Sequence, residues 1–90
     1  MIKKLKVGIA GYGIVGKRRH EFINKNPSMT VIAVCDKFFP ENCSDINGVR
    51  SYQSYIQLLE ENLDVLFVCL TNDIAPKVTI AGLQAGFHVF

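Results

Sequence analysis

The stretch GIAGYGIVG, Gly8 to Gly16, sets four glycines among five apolar or aromatic residues, directly behind the basic start MIKKLK. Two arrangements put glycines beside so hydrophobic an opening: a secretory leader, or a tight turn between a buried strand and a helix. A leader wants an unbroken apolar core and a cleavage point of small residues. Here KRRH follows at once, and the flanks favour the turn. KVGIA, ending at Ala10, has the β-branched character of a short buried strand. Beyond the glycines the period changes. Val15, Arg19, Phe22 and Ile23 fall at i, i+4, i+7 and i+8, one face of a helix that Asn24-Lys25-Asn26-Pro27 ends. That spacing predicts a buried Phe22.

The same alternation continues outward. TVIAVCD, residues 30–36, predicts a second strand, FFPENCSDING a polar loop broken by proline and glycine, and GVRSY a brief third strand. Gln53 to Asn62 reads as a helix with Ile56, Leu59 and Leu63 toward the core and Ser51 or Ser54 as N-cap. LDVLFVCL is a buried strand. Asn72 or Asp73 then caps a helix whose Ile74, Val78, Ala81 and Ala85 share one stripe, with Pro76 in its first turn and Gly86 past its end. FHVF closes the chain as a last strand. Strands that alternate with helices and are apolar nearly throughout predict an α/β fold. Its parallel sheet is doubly wound and covered on both faces, with about five strands in the order 3-2-1-4-5.

Ninety residues bound the chain to one domain, and 49% hydrophobic with 20% charged residues is ordinary globular composition, without repeats or low-complexity tracts. The net charge of +2 is too small to argue for nucleic acid. Lys3, Lys4, Lys6, Lys17, Arg18, Arg19 and Lys25 do cluster early, and they read as a solvated helix face. Nucleic-acid binding would need exposed aromatics among them, whereas Phe22 is expected inside. Cys35, Cys43 and Cys69 show no C-x-x-C spacing, so neither a disulfide framework nor a metal site is indicated, and a reducing, cytoplasmic setting is expected. The charge-free run after Asp64, VLFVCLTN, falls far short of the roughly 20 apolar residues of a membrane span.

Gly11-Tyr12-Gly13-Ile14-Val15-Gly16 fits G-x-G-x-x-G, and the chemistry of that spacing is specific. The first glycine permits the tight turn, the second lets backbone approach a pyrophosphate, and the third lets the helix press on the sheet. The helix start supplies unpaired N–H groups, expected from Tyr12 to Val15, and a partial positive charge. Asp36 ends the next strand 20 positions beyond Gly16, where a carboxylate can accept from the hydroxyls of an adenosine ribose. It would repel a 2′-phosphate, so NAD is expected over NADP, with the adjacent Lys37 able to reverse part of that preference. His20 and His88 have no carboxylate or nucleophile at a useful spacing. They read as a helix-surface and a sheet residue, and Tyr52 and Tyr55 as packing.

KVGIAGYGIVGKRRH, VIAVCD, GVRSYQSYIQLLEENLDVLFVCLTN and AGLQAGFHVF together resemble the N-terminal Rossmann domain of the glucose–fructose oxidoreductase / inositol dehydrogenase / rhizopine-catabolism (Gfo/Idh/MocA) oxidoreductases. The resemblance spans the whole chain and implies that residues 1–90 are a dinucleotide-binding domain. It adds Thr71 and Asn72, beside the nicotinamide, to a cofactor set of Gly11, Tyr12, Gly13, Ile14, Val15, Gly16, Asp36 and Lys37. Family members typically carry Thr-Pro-Asn after the fourth strand, and here Thr71-Asn72 lacks the proline, while Ala75 stands where many have histidine. In the family the last strand runs into a Glu-Lys-Pro motif with the catalytic lysine, and an α/β domain for sugar or polyol substrate follows. The chain stops at Phe90, so no catalytic residue carries over, and the fragment is expected to be inactive by itself. The resemblance implies a parent that moves hydride between a nicotinamide cofactor and a carbohydrate hydroxyl, with a homo-oligomer possible. The other reading is a non-enzymatic module that binds NAD or CoA as a sensor or interaction domain.

Overall fold

The computed structural model describes residues 4–90; Lys3 of the basic cluster lies outside them. In chain order the elements are β1 (Leu5–Ala10), α1 (Ile14–Asn24), β2 (Met29–Cys35), β3 (Ser44–Ile46), β4 (Val49–Tyr52), α2 (Tyr55–Leu59), β5 (Val65–Val68), α3 (Ala75–Gln84) and β6 (His88–Val89). The described residues form one six-stranded sheet in the order β3-β4-β2-β1-β5-β6. The pairs β1/β2, β1/β5, β2/β4 and β5/β6 are parallel, which is the expected doubly wound order. The addition is β3, which pairs antiparallel with β4 at one edge.

That extra strand falls within the stretch expected to be a loop. Asn47 and Gly48 both take positive φ, 54° and 80°, the conformation of a two-residue type I′ hairpin turn. Asp45 Oδ1 accepts the Gly48 N–H at 3.2 Å and steadies it. The Asn-Gly pair was the signal, hidden in a segment whose proline and polar residues read as loop.

The sheet separates two layers of core. Val7 and Ile9 of β1 point to the α1 side with Ile23, Val31, Val34 and Val65. Ala10 points to the other side, where Leu58 of α2, Val78 of α3, Leu63 and Leu66 pack. The small residues of KVGIA thus fall on the side α2 approaches, since a Cβ on Gly8 would press on Leu63 and Leu58. The β1/β2 register slips between Val7 and Gly8, where Val7 opposes Val31 and Gly8 opposes Ala33. This bulge lets the consecutive Ile32 and Ala33 both join the α2/α3 layer. Ile9, Leu58, Leu66, Val7 and Val78 are fully buried. Each contributes about 1.5–3 kcal/mol by leaving water.

The helices turn differently from the predicted faces. In α1 the buried residues are Gly16 and Ile23, while Val15 is 57% and Phe22 76% exposed, so the expected burial of Phe22 is corrected. In α2, only Tyr55–Leu59 is helical, Ser54 is the N-cap through its Oγ to the Ile56 N–H at 3.1 Å, and Leu58 is buried in place of Ile56. In α3 the buried pair is Val78 and Gly82, and neither Asn72 nor Asp73 caps it: the N-cap is Ile74, without a side-chain cap bond. Among the described residues no helix is long and apolar enough to cross a membrane.

Candidate functional site

Four strands of the parallel sheet end at one side of the molecule, and the loops that follow them surround a cleft of about 610 Å³. Gly11 and Gly13 come from the turn after β1, and Cys35, Asp36, Lys37 and Phe38 from the end of β2. Gln53 and Tyr55 follow β4, and Cys69 to Thr71, Asp73 and Ile74 follow β5. The place is dictated by topology. The chain leaves β1 toward β2 on one side and returns to β5 on the other, and the crevice at such a reversal is where open α/β sheets bind ligands. A second groove, of about 450 Å³, lies against α1 between Phe22, Ile23, Met29 and Phe67 with Arg19 and Lys25 at its rim. Its lining holds no carboxylate.

The glycine turn divides into locked and open positions. Gly11 has φ of 94°, and a Cβ there would collide with the Cys69 carbonyl and lie 2.9 Å from Leu70 Cδ2. Its N–H donates to the Cys35 carbonyl at 2.9 Å, so the chain leaves β1 tight against β2 and β5. Gly16 sits under the turn, where a Cβ would collide with the Gly11 carbonyl oxygen and meet Ile9 Cγ2 at 3.6 Å. Gly13 is the opposite: it is the α1 N-cap, and a Cβ there would meet no protein atom within 4 Å. The space beside Gly13 is therefore open, and the glycine is not required by contact with the protein itself. No side chain caps this helix start, and the first turn holds no acidic residue, so its N–H groups and partial positive charge are left without a compensating side chain.

With Asp73, Asp36 is one of two carboxylates that line the cleft. Its Oδ2 accepts the Tyr12 N–H at 3.0 Å and its Oδ1 the Phe38 N–H at 2.9 Å. The Tyr12 N–H, expected among the pyrophosphate donors, is therefore committed to Asp36, which leaves Gly13, Ile14 and Val15. Lys37 lies over the Phe38 ring, 5.1 Å from its centroid. Across the cleft Thr71 Oγ1 donates to Asp73, which with the Lys37 charge holds the Asp73 carboxyl below its ordinary value.

Of the residues expected at a cofactor, Gly11, Gly13, Asp36, Lys37 and Thr71 line the cleft together. Tyr12, Ile14, Val15 and Asn72 do not line it, and Gly16 supports it from below. Sequence reasoning missed Phe38, an 83% exposed aromatic, together with Gln53 and Tyr55. Phe38 was legible as an apolar residue in a polar loop next to Asp36; Gln53 and Tyr55 carry no such signal. The two cleft thiols are poor nucleophiles: burial pushes Cys35 up to about 11 and raises Cys69. His20 shares a hydrogen bond of 2.6 Å with the Tyr12 hydroxyl, and burial lowers its value, with Glu21 opposing. His88 is exposed on the edge strand β6. Among the described residues no three candidate ligands gather for a metal ion.

Comparison with known proteins agrees with this fold. The family model described as "Oxidoreductase family, NAD-binding Rossmann fold" matches residues 5–90. No curated protein matches the chain at a significant level. Among solved structures, myo-inositol 2-dehydrogenase from Lactobacillus plantarum is 26% identical with TM-score 0.79, over 98% of this chain and 27% of its own. An NAD-binding protein from Listeria innocua is 26% identical with TM-score 0.80, over 97% of this chain and 26% of its own. Biliverdin reductase from Synechocystis, solved with biliverdin and NADP+, is 26% identical with TM-score 0.76, over 94% of this chain and 28% of its own. This chain thus spans about a quarter of the length of the structures it resembles. The match over residues 5–90, the doubly wound sheet and the open glycine turn at its reversal place the chain in the Gfo/Idh/MocA oxidoreductase family, as its NAD-binding Rossmann domain.

Proposed function

We propose that residues 1–90 bind NAD in this cleft and serve as the cofactor domain of an oxidoreductase that moves hydride between nicotinamide and a sugar or polyol hydroxyl. The observation that carries the reading is the pairing of Gly13, with no protein atom within 4 Å of a Cβ position, and the Asp36 carboxylate at the mouth of the same cleft. An unshielded helix start favours an anion, and the carboxylate favours hydroxyl donors, so the two polarities fit the pyrophosphate and the adenosine ribose of one dinucleotide. The cleft volume of about 610 Å³ lies within the range of small-molecule sites.

The bound nicotinamide would supply the redox chemistry, and this chain would bind and orient it. Gly13, Ile14 and Val15 would hold the pyrophosphate by backbone N–H groups, and Gly11 and Gly16 would keep that backbone close to the sheet. Asp36 would accept from the ribose, a charged hydrogen bond worth on the order of 1.5–3 kcal/mol. Lys37 would steady the adenosine end, and Thr71 and Asn72 would border the nicotinamide end. The likeness to an inositol dehydrogenase supports the polyol substrate, and the acid/base residue and substrate pocket are assigned outside these residues. Relatives named for NAD and for NADP+ share the fold, so the fold does not choose between them, and the Asp36 carboxylate is what supports NAD here.

Calorimetric titration with NAD, NADP and CoA tests the reading. NAD should bind more tightly than NADP, and Asp36→Ala should narrow the gap. Tighter binding of NADP by the unaltered chain would refute the role given to Asp36, and CoA binding without either dinucleotide would replace the function.

A further inference from the structure

We infer that Asp36 also braces the glycine turn, acting on the pyrophosphate as a positioning residue as well as on the ribose. The inference rests on the dinucleotide reading above. The carboxylate is divided between two backbone donors, Tyr12 N–H on Oδ2 at 3.0 Å and Phe38 N–H on Oδ1 at 2.9 Å. The first bond joins residues 24 positions apart and ties the turn after β1 to the end of β2. The second closes the turn that carries Lys37, where the Phe39 N–H also donates to the Asp36 carbonyl at 3.1 Å. Bonds to an ionised acceptor are the stronger class, so each oxygen holds its segment firmly.

Tyr12 transmits that hold. Its hydroxyl shares a 2.6 Å hydrogen bond with His20 Nδ1 on α1, and its ring packs at 5.9 Å between centroids on Phe39, just past Asp36. Tyr12 is therefore fixed by backbone, hydroxyl and ring, and Gly13 is the next residue. Glycine-rich backbone is otherwise the freest part of a chain, and ordering it on binding would weaken affinity. With Tyr12 held, the donors of Gly13, Ile14 and Val15 are already directed when the pyrophosphate arrives. A carboxylate is required for this, because two N–H groups need two acceptor oxygens. An amide at the same place offers one oxygen and turns its NH₂ toward the other donor. Each oxygen keeps a further lone pair for a ribose hydroxyl, so the two roles do not compete.

The test separates the roles with a ligand that lacks the ribose donors. Asp36→Ala and Asp36→Asn are compared with the unaltered chain in binding NAD and its 2′,3′-dideoxyadenosine analogue, and in hydrogen exchange of the Tyr12 amide without ligand, with circular dichroism to confirm folding. Asp36→Ala should weaken the dideoxy analogue by about tenfold and speed Tyr12 exchange, and Asp36→Asn should fall between. Equal affinity of the unaltered chain and Asp36→Ala for the analogue overturns the brace, whatever NAD itself does. If the unaltered chain binds neither dinucleotide, the dinucleotide reading fails instead, and unchanged Tyr12 exchange in Asp36→Ala would then overturn the brace independently.

Discussion

The helices α1 and α3 leave the carboxyl ends of the adjacent parallel strands β1 and β5, cover opposite faces of the sheet, and each sets one glycine against it. Their starts nevertheless differ. At α3 the approach is filled by protein: Ile74 and Ala75 both donate to the Thr71 carbonyl, Thr71 Oγ1 binds Asp73, and Pro76 has no N–H to offer. At α1 the approach is a glycine with open space beside it and Asp36 behind it. The same strand-to-helix physics thus produces one start that is consumed by the fold and one that is left to a ligand. Their glycines differ in kind as well. Gly16 abuts backbone, whereas Gly82 abuts the Leu66 and Val89 side chains, at 2.7 and 3.1 Å from a Cβ position.

Gly16→Val should have the largest effect. The side chain would drive into the Gly11 carbonyl, which cannot move without lifting α1 from Ile9, so a loss of about 3 kcal/mol or more is expected. Gly82→Ala meets only side-chain ends and should cost about 1–2 kcal/mol. Urea unfolding of both variants checks the order, and a reversed order would break the distinction between the two glycines.

Gly13→Val should separate binding from folding. Its φ of −81° suits any residue and its surroundings are empty, so the stability cost should be about 1 kcal/mol, that of a poorer N-cap, while NAD binding disappears. Titration and unfolding on one preparation decide it. Unchanged NAD affinity in the folded variant would show that the open start of α1 is not a pyrophosphate site.

What was legible in the sequence follows from the same glycines. The order of the parallel strands, the turn and the place of Asp36 after β2 could be read because β-branched runs and G-x-G-x-x-G have physical signatures. The helix faces could not, because they were sought by apolar side chains. Gly16 and Gly82 are buried by having none, and they rotate the inward face by one position from Val15 to Gly16 and from Ala81 to Gly82. Phe22 was carried outward by that rotation. In α2 the helix ends after Leu59, so Leu63 reaches the core from the following loop and the 3.6 period no longer places Ile56.

The α2/α3 side is also fastened by charge. Arg50 of β4 grips Glu61 with two hydrogen bonds, one of them Nη2 to Oε1 at 2.6 Å, and the Tyr52 hydroxyl donates to Glu61 Oε2 at 2.5 Å. The Arg50 hydrogen bonds hold the Glu61 carboxyl below its ordinary value of 4.5, against the opposing effect of burial. A carboxylate lowered by folding stabilises fully above that ordinary value and loses the contribution as pH falls through its lowered folded value. Glu61→Gln should therefore cost about 1 kcal/mol at neutral pH, discounted because Arg50 is half-exposed, and the difference from the unaltered chain should vanish on acidification. A difference that persists in acid would assign the loss to packing instead of charge.

The smallest expected effect tests the outer face of α1. Phe22 is 76% exposed at the groove with Met29 and Phe67, and on α3 Leu83 is 57% exposed. If both are solvent-facing in the folded chain, Phe22→Ser and Leu83→Ser remove little buried area, and each should change stability by no more than about 0.5 kcal/mol. The two faces then differ in association, not in folding: Phe22 borders an apolar groove of about 450 Å³, and exposed patches of that kind favour contact between molecules. Phe22→Ser should lower any concentration-dependent self-association seen by sedimentation, and Leu83→Ser should lower it less. A cost above about 1 kcal/mol for Phe22→Ser would instead place its ring inside the core, restore the Val15-Arg19-Phe22 face, and remove the argument that Gly16 sets the rotation of α1.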